Sequence, residues 1–485
     1  MTASTLSEKQ PPGRAARIGF WLGPLWLLMT FVLPAPAGMT EAAWACAGLA
    51  LLLATWWATE AIPIPATSLL PIILIPALGI GDLRTVTSSY GDPVIFLFLG
   101  GFLLGIGMQR WNLHQRIALR VLLIVGQKPR QQIAGFMIAT GFISMWVSNT
   151  ATAIMMLPIG MSVVSLLKGS DEAELNRYAT ALLLAIAYSA SIGGVATLIG
   201  TPPNALLAGY LANTHDIQVG FAQWMIVGLP ISIVMMLVAW GWLTRGGFNL
   251  KASDGNTNVI RGELEKLGPM TQAERRVGAV FLLAAAAWVL RPMLNSMGVS
   301  WLSDTVIAII AGVALFLIPS GTERHTQLMS WEDSKELPWG ILLLFGGGLA
   351  LAGAVTSSQL AVWIAAQLDI FGVLPAILLV GVVVLVIIFL TEITSNTATA
   401  AAFLPLIGAM AISMGIDPIL ITAPAAIAAS CAFMMPVATP PNAIVFATGH
   451  MKIQSMIRAG LFLNIIGALV VTLLTGWLIR IAWGG

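Results

Sequence analysis

Charge is scarce in this chain. Only 9% of its 485 residues are Asp, Glu, Lys or Arg, while 58% are hydrophobic. A soluble domain carries about 25% charged residues, so too few remain here to clothe a water-facing surface of this length. That excludes an ordinary soluble enzyme, and the high hydrophobicity excludes a disordered scaffold. An excess of one sign is also lacking: 23 Lys and Arg against 21 Asp and Glu leave +2, which provides no basic face for nucleic acid. The two cysteines, Cys46 and Cys431, lie in separate apolar stretches and make neither a disulfide framework nor a zinc site. The four His show no H-E-x-x-H spacing, which leaves a membrane metalloprotease unsupported. What the chain has is apolar length, with a mean hydropathy of +0.90. It reads as an all-α polytopic membrane protein; at roughly 20 residues per span, about ten to fourteen crossings fit.

The few basic residues mark the topology. Lys9, Arg14 and Arg17 precede the first apolar run; Arg110, Arg116, Arg120, Lys128 and Arg130 form a second group; Arg245, Lys251, Arg261, Lys266, Arg275 and Arg276 form a third. Apolar spans read near 18–35, 41–59, 62–80, 93–109, 178–212, 220–243, 277–297, 302–319, 338–367, 417–448 and 459–483. Short Lys- and Arg-rich loops stay cytoplasmic. With the N-terminal segment 1–17 inside, all three clusters fall inside, as do Arg324, Lys335, Lys452 and Arg458, and the C-terminus falls outside. The polar segment 244–276 reads as a cytoplasmic linker between the halves 18–243 and 277–485. Residues 131–165 must enter and leave on the inner side, and 371–410 on the outer side; both read as re-entrant hairpins, broken by Pro158 and Pro405. The run before Ala35-Pro36-Ala37 imitates a signal peptide, but it is longer than a typical apolar core of one and many spans follow, so it reads as a retained span. The short N-terminus has no organelle transit composition, which points to a bacterial inner membrane.

An internal repeat carries the functional signal. Ser148-Asn149-Thr150-Ala151-Thr152-Ala153 recurs letter for letter as Ser395-Asn396-Thr397-Ala398-Thr399-Ala400, each followed by Leu-Pro at Leu157-Pro158 and Leu404-Pro405. Thr201-Pro202-Pro203-Asn204-Ala205 likewise recurs as Thr439-Pro440-Pro441-Asn442-Ala443, 53 residues after the first Ser and 44 after the second. Two motifs in the same order in both halves, with hairpins opening to opposite sides, describe inverted repeats, the pattern of secondary transporters whose site lies between the repeats near the midplane.

The chemistry of these residues fits that pattern. Ser, Asn and Thr cap helix starts, and a half-helix beginning inside the membrane leaves about four N–H groups for an anion. Thr-Pro-Pro stops one half-helix and starts another. It frees carbonyls that, with Ser, Thr and Asn oxygens, suit a small hard cation. Neither motif contains Lys or Arg, so a bound anion would depend on helix ends, amides, hydroxyls and co-bound cations, which favours cation coupling.

At these residues the chain resembles the divalent anion:sodium symporter family, carriers of dicarboxylates, citrate and sulfate that include bacterial dicarboxylate transporters of the INDY type. The resemblance extends to Thr59-Glu60-Ala61-Ile62-Pro63 with Leu69-Leu70-Pro71, and to Phe98-Leu99-Gly100-Gly101-Phe102 through Arg110-Trp111-Asn112-Leu113-His114, and covers essentially everything after residue 18. It implies eleven transmembrane helices plus two re-entrant helical hairpins, a homodimer, and a transport part moving like an elevator against a scaffold. It implies a sodium site at Ser144, Ser148, Asn149 and the Gly200 backbone, and a second at Thr391, Thr394 (through its carbonyl), Asn396 and the Ala438 backbone. Substrate carboxylates would meet Ser148, Asn149, Thr150, Thr201, Ser395, Asn396, Thr397 and Thr439. Some members have Ser in place of Thr201, which leaves substrate preference open.

The first hypothesis is a sodium-coupled symporter of C4-dicarboxylates such as succinate, malate and fumarate, with sodium as coupling ion and no organic cofactor. Citrate or sulfate symport, or sodium-independent dicarboxylate exchange, are the alternatives within transport. A sensor is disfavoured because the longest polar segment is 244–276. An enzyme is disfavoured because no acid, base or nucleophile constellation is present. Gly79-Ile80-Gly81-Asp82 matches an intramembrane aspartyl-protease string but sits at a span end without a mid-span partner. Two readings are open for Glu392: a carboxylate that tunes cation binding, or a structural charge paired within the bundle. Glu60 fixes a helix end, Asp92 caps a helix, Arg110 and His114 anchor an interfacial helix, and the Trp residues, Trp21, Trp26, Trp56, Trp57, Trp240 and Trp242 among them, form interface belts.

Overall fold

The computed structural model describes residues 13–126, 128–166, 172–248, 254–321, 326–368 and 375–484. Lys9, Lys251, Arg324, most of segment 1–17 and the start of segment 371–410 lie outside the described residues. The described residues are helical almost throughout, and nine of their helices are long and apolar enough to cross a membrane. The chain is a multi-pass membrane protein.

The first half runs α1 (Arg14–Val32), α2 (Glu41–Thr59), α3 (Ile64–Thr67), α4 (Leu70–Ala77), α5 (Leu83–Ser88), α6 (Pro93–Arg110), α7 (Leu113–Val125), α8 (Pro129–Ser144), α9 (Asn149–Leu166), α10 (Glu172–Val195), α11 (Pro202–His215) and α12 (Phe221–Leu243). The linker contributes α13 (Asp254–Lys266). The second half runs α14 (Gln272–Ser296), α15 (Asp304–Leu317), α16 (Trp339–Ser357), α17 (Leu360–Leu368), α18 (Ala376–Thr391), α19 (Asn396–Ser413), α20 (Ile419–Ala429), α21 (Pro440–Phe446) and α22 (Ile453–Trp483).

Four of the spans read from sequence are divided. The stretch 62–80 becomes α3 and α4, parted at Ser68 and Leu69 with Pro71 in the first turn of α4. The stretch 338–367 becomes α16 and α17, separated where Gln359 adopts a left-handed φ of 65°. The stretches 178–212 and 417–448 break before their Thr-Pro-Pro strings. Each Ser-Asn-Thr motif lies at the tip of a helical hairpin, α8–α9 or α18–α19.

The core forms around α10, buried without interruption from Ala181 to Val195. Small residues set its approach to α8: a Cβ on Gly193 would fall 2.3 Å from the Gly141 carbonyl oxygen, so the two backbones touch. Phe98 of α6 and Phe345 of α16, both fully buried, meet edge to face with centroids 5.0 Å apart.

Several expectations change on packing. The linker is not simply a solvated segment: α13 packs on α7 and α9. His114, expected to anchor an interfacial helix, is buried, and so is Arg116 of the second basic group. Arg116 Nε donates to Glu274 Oε2 at 2.6 Å, and its Nη atoms donate to the Gly268 and Leu267 carbonyls at 2.9 and 3.2 Å. This pair ties α7 to the start of α14, joining the halves. Arg116→Ala or Glu274→Ala leaves one buried charge alone, and about 3–5 kcal/mol of stability is lost; thermal unfolding in detergent measures it. Trp57 does not belong to a belt: it is fully buried, and its Nε1 donates to Ser68 Oγ at 3.1 Å. Trp224 and Trp288 are buried as well. Asp92 caps α6 as expected, accepting from Val94 N at 2.8 Å. Asp82 is an exposed cap on α5, bonded to Thr85, which removes the protease reading.

Candidate functional site

The two hairpin tips expose main-chain donors. At the first, Ser148 Oγ accepts from Ala151 N at 3.3 Å, and the N–H groups of Asn149 and Thr150 make no hydrogen bond among the described residues. At the second, Ser395 provides no side-chain cap, and the N–H groups of Asn396, Thr397 and Ala398 are unpaired in the same sense. With the positive ends of the α9 and α19 dipoles, these donors suit an anion.

Behind each tip lies a cluster of oxygens. Ser144 Oγ is 2.6 Å from Asn149 Oδ1 and 2.6 Å from the Ala190 carbonyl. Thr391 Oγ1 is 2.8 Å from Asn396 Oδ1 and 3.0 Å from the Ala429 carbonyl. The Thr391 hydroxyl has one hydrogen and faces two acceptors, so one oxygen in the second cluster lacks a proton. That is the electrostatic demand of a small hard cation. At the first cluster the opposite amide orientation also fits: Asn149 Nδ2 turned inward would donate to Ser144 Oγ at 2.6 Å, to Ala190 O at 3.1 Å and to Gly200 O at 3.3 Å. Gly194 leaves room for this group; a Cβ there would stand 2.8 Å from both Asn149 Oδ1 and Gly200 O. The residues thus fit a sodium ion, and the amide satisfies the same oxygens without one. The Ala190 and Ala429 carbonyls belong to these clusters and were not named from sequence. Ser148 lines the cavity but sends its hydroxyl to Ala151 rather than into the cluster. Thr394 turns its hydroxyl to Leu390 O at 2.9 Å and Thr399 Oγ1 at 2.6 Å, leaving only its main chain for a ligand.

The Thr-Pro-Pro-Asn strings do something narrower than expected. Pro202, Pro203, Pro440 and Pro441 have no N–H, so α11 and α21 start without the donors that the hairpin tips have. Some of the freed carbonyls are claimed by the motif's own Asn. Asn204 Nδ2 donates to Thr197 O at 2.8 Å and Val195 O at 3.2 Å, and Asn442 Nδ2 donates to Ala432 O and Met435 O, each at 3.1 Å. The two Asn residues therefore staple the breaks 196–201 and 430–439. Thr439 Oγ1 accepts from Asn442 N at 3.3 Å. Thr201 Oγ1 instead lies 3.3 Å from Ser430 Oγ, in the other half.

Glu392 is buried and its partners are now visible. Its carboxylate accepts from Phe433 N, Met434 N and Met435 N at 2.7, 2.9 and 2.9 Å and from Asn464 Nδ2 at 2.7 Å. It straps the second break to the end of α18 and to α22. The first break is held differently, by Thr197 Oγ1 on Met145 O at 2.6 Å and Trp224 Nε1 on Val195 O at 3.0 Å.

Both tips and both breaks line one cavity of about 980 Å³. Ser148, Asn149, Thr150, Gly200 and Thr201 meet Thr394, Ser395, Asn396, Thr397, Ala438 and Thr439 there, while Ser144 and Thr391 sit fully buried behind the tips. The repeats interlock around it: α9 packs on α21, and α19 on α11. Among the described residues no Lys or Arg lines the cavity, and the carboxylates that do are Glu60 and Glu336, both exposed, towards the end marked by Ala15 and Thr59.

Comparison with known proteins gives a consistent set of likenesses. The family described as the sodium:sulfate symporter transmembrane region matches residues 22–483. The sodium-dependent dicarboxylate transporter SdcS of Staphylococcus saprophyticus is 43% identical over 95% of this chain and 91% of its own length. SdcS of Staphylococcus aureus is 42% identical over 100% of this chain and 95% of its own. Among solved structures, Neisseria gonorrhoeae MtrF, described with a class of antimetabolite efflux pumps, aligns with a TM-score of 0.59 at 13% identity, covering 97% of this chain and 96% of its own. The YdaH transporter of Alcanivorax borkumensis aligns at 0.57 and 15% identity, covering 97% and 99%. These two share the fold.

Proposed function

Because the chain belongs to the family of the sodium:sulfate symporter transmembrane region, we propose that it is a sodium-coupled secondary symporter of divalent anions, with C4-dicarboxylates such as succinate, malate and fumarate as substrates. The observation that carries this reading is the duplicated pairing of an amide with a hydroxyl behind an uncapped helix start, Asn149 with Ser144 and Asn396 with Thr391. One sodium ion sits among Ser144, Asn149, Ala190 and Gly200, the other among Thr391, Asn396 and Ala429, with the backbones of Thr394 and Ala438 beside it. Ser148, Thr150, Thr201, Ser395, Thr397 and Thr439 supply hydroxyls, and the tips supply N–H groups, to the two carboxylates of the substrate.

Coupling follows from electrostatics. A dianion leaving water for a cavity without Lys or Arg loses hydration that hydrogen bonds alone offset poorly; cations one layer behind the donors restore the balance. The Asn149 amide stands within hydrogen-bond reach of Ser144 Oγ, Ala190 O and Gly200 O on the very residue whose N–H opens the tip, so ion binding and presentation of the anion site are coupled there. The halves 18–243 and 277–485, joined by 244–276, act as inverted repeats with re-entrant hairpins at 131–165 and 371–410, within a fold of eleven spans. The N-terminus is cytoplasmic and the C-terminus periplasmic, in a bacterial inner membrane. The cavity's exposed end, bearing Ala15, Glu60 and Glu336, is then the cytoplasmic mouth. The chain works as a homodimer whose transport parts move as elevators.

The two SdcS proteins are named for dicarboxylates and the family for sulfate; this chain is read with the former because its paired tips suit two carboxylates. In liposomes, labelled succinate enters under an inward sodium gradient. If succinate, citrate and sulfate all stay outside under every cation gradient, symport is excluded. Entry only into dicarboxylate-loaded vesicles, independent of sodium, points to exchange instead.

A further inference from the structure

A second cavity, of about 740 Å³, lies apart from the duplicated motifs and shares no lining residue with the first. It is enclosed by the first turns of α10, the end of α12, the turn 448–452 and the first turns of α22. Arg177, Arg245, His450, Lys452 and Arg458 converge on it, and among the described residues no Asp or Glu lines it. Arg177 is partly neutralised by Glu174 at 3.2 Å. Arg245, Lys452 and Arg458 form no ion pair among the described residues, and all three are exposed. Loop charges that only fix topology need not gather on one concavity. Here residues from three separated stretches of chain do, and an anion lying between them relieves their mutual repulsion.

The lining is also amphipathic. Beneath the charged rim lie Leu184, Met451 and Trp242. The Trp242 ring stacks on Phe462 with centroids 3.7 Å apart and carries the Arg245 guanidinium on its face. We propose that this cavity is a binding site for a phosphate-bearing anion, with the phosphate held by Arg245, Lys452 and Arg458. Guanidinium groups match phosphate geometry, and basic pockets between helix ends at the cytoplasmic surface suit anionic headgroups. A phospholipid headgroup and free inorganic phosphate share this chemistry. The inference does not depend on what the first cavity carries.

Isothermal titration of the purified full chain in neutral detergent tests it. The probes are dihexanoyl-phosphatidylglycerol, inorganic phosphate, and dihexanoyl-phosphatidylcholine, whose net charge is zero. The expected result is saturable phosphatidylglycerol binding, weakened at least tenfold in Arg245→Gln/Arg458→Gln and also weakened in Lys452→Gln. The single variant serves if the double variant does not fold. Equal loss for phosphate assigns the site to a soluble anion, whereas phosphatidylglycerol binding without phosphate binding assigns it to lipid. Absence of saturable binding by both, phosphatidylcholine binding as tight as phosphatidylglycerol binding, or binding unchanged in the folded variants overturns the proposal. Sodium-driven uptake by the Lys452→Gln protein, measured in parallel, separates this outcome from failure of the transport reading.

Discussion

Asn149→Ala raises the sodium concentration for half-maximal uptake and the substrate KM together. The side-chain amide stands within 2.6 to 3.3 Å of Ser144 Oγ, Ala190 O and Gly200 O; alanine removes it and keeps the main-chain N–H of the tip, so the substrate loses affinity through the cation no longer held behind that donor. A hydrogen bond to a charged group is worth about 1.5–3 kcal/mol, so each affinity falls by roughly 10- to 100-fold. Asn396→Ala has the same effect through Thr391 and Ala429. Asn149→Asp separates the two roles: the carboxylate keeps or tightens sodium binding but repels the dianion, so the sodium dependence survives while the substrate KM rises. Uptake measured over a grid of sodium and succinate concentrations reads both. An alanine variant with unchanged dependence on both would end the shared-site account.

Glu392→Ala costs most of the folded protein. Four N–H donors lose their acceptor at once. Each buried donor left alone costs about 1–3 kcal/mol, and the sum rivals the roughly 5–15 kcal/mol that holds a whole domain together. Glu392→Gln is milder, since one oxygen remains to accept while the amide nitrogen faces a donor. The order of melting temperatures in detergent is therefore wild type, then Gln, then Ala, and the Gln protein needs more sodium because the break carrying Ala438 is held less firmly. An alanine variant that melts with the wild type would show that the strap contributes nothing.

The motifs were legible because their signal is local. Ser-Asn-Thr at a hairpin tip and Pro-Pro at a helix start restrict the backbone wherever they occur, and finding both twice singled out the two tips and two breaks before any contact was known. The partners of these residues were not legible. Glu392 meets Met434, 42 positions on, and Asn464, 72 positions on, and no periodicity encodes such distances. Arg116 looked like one of a row of topogenic charges, yet its guanidinium is spent on Glu274, 158 residues away. Trp57 and Trp56 are adjacent in sequence, but only the packing shows that Trp57 faces inward, to Ser68. The Asn of Thr-Pro-Pro-Asn recurred in plain view; its stapling role needed the carbonyls of the break to be placed.

Thr201 and Ser430 touch across the two halves, and each hairpin leans on a helix belonging to the other. The cavity walls are therefore like the fingers of two clasped hands: neither can be withdrawn alone without parting the grip. Whatever exposes the cargo first to one face of the bilayer and then to the other has to shift the clasp as a single piece, and the hinges for that shift must be sought in the surrounding helices.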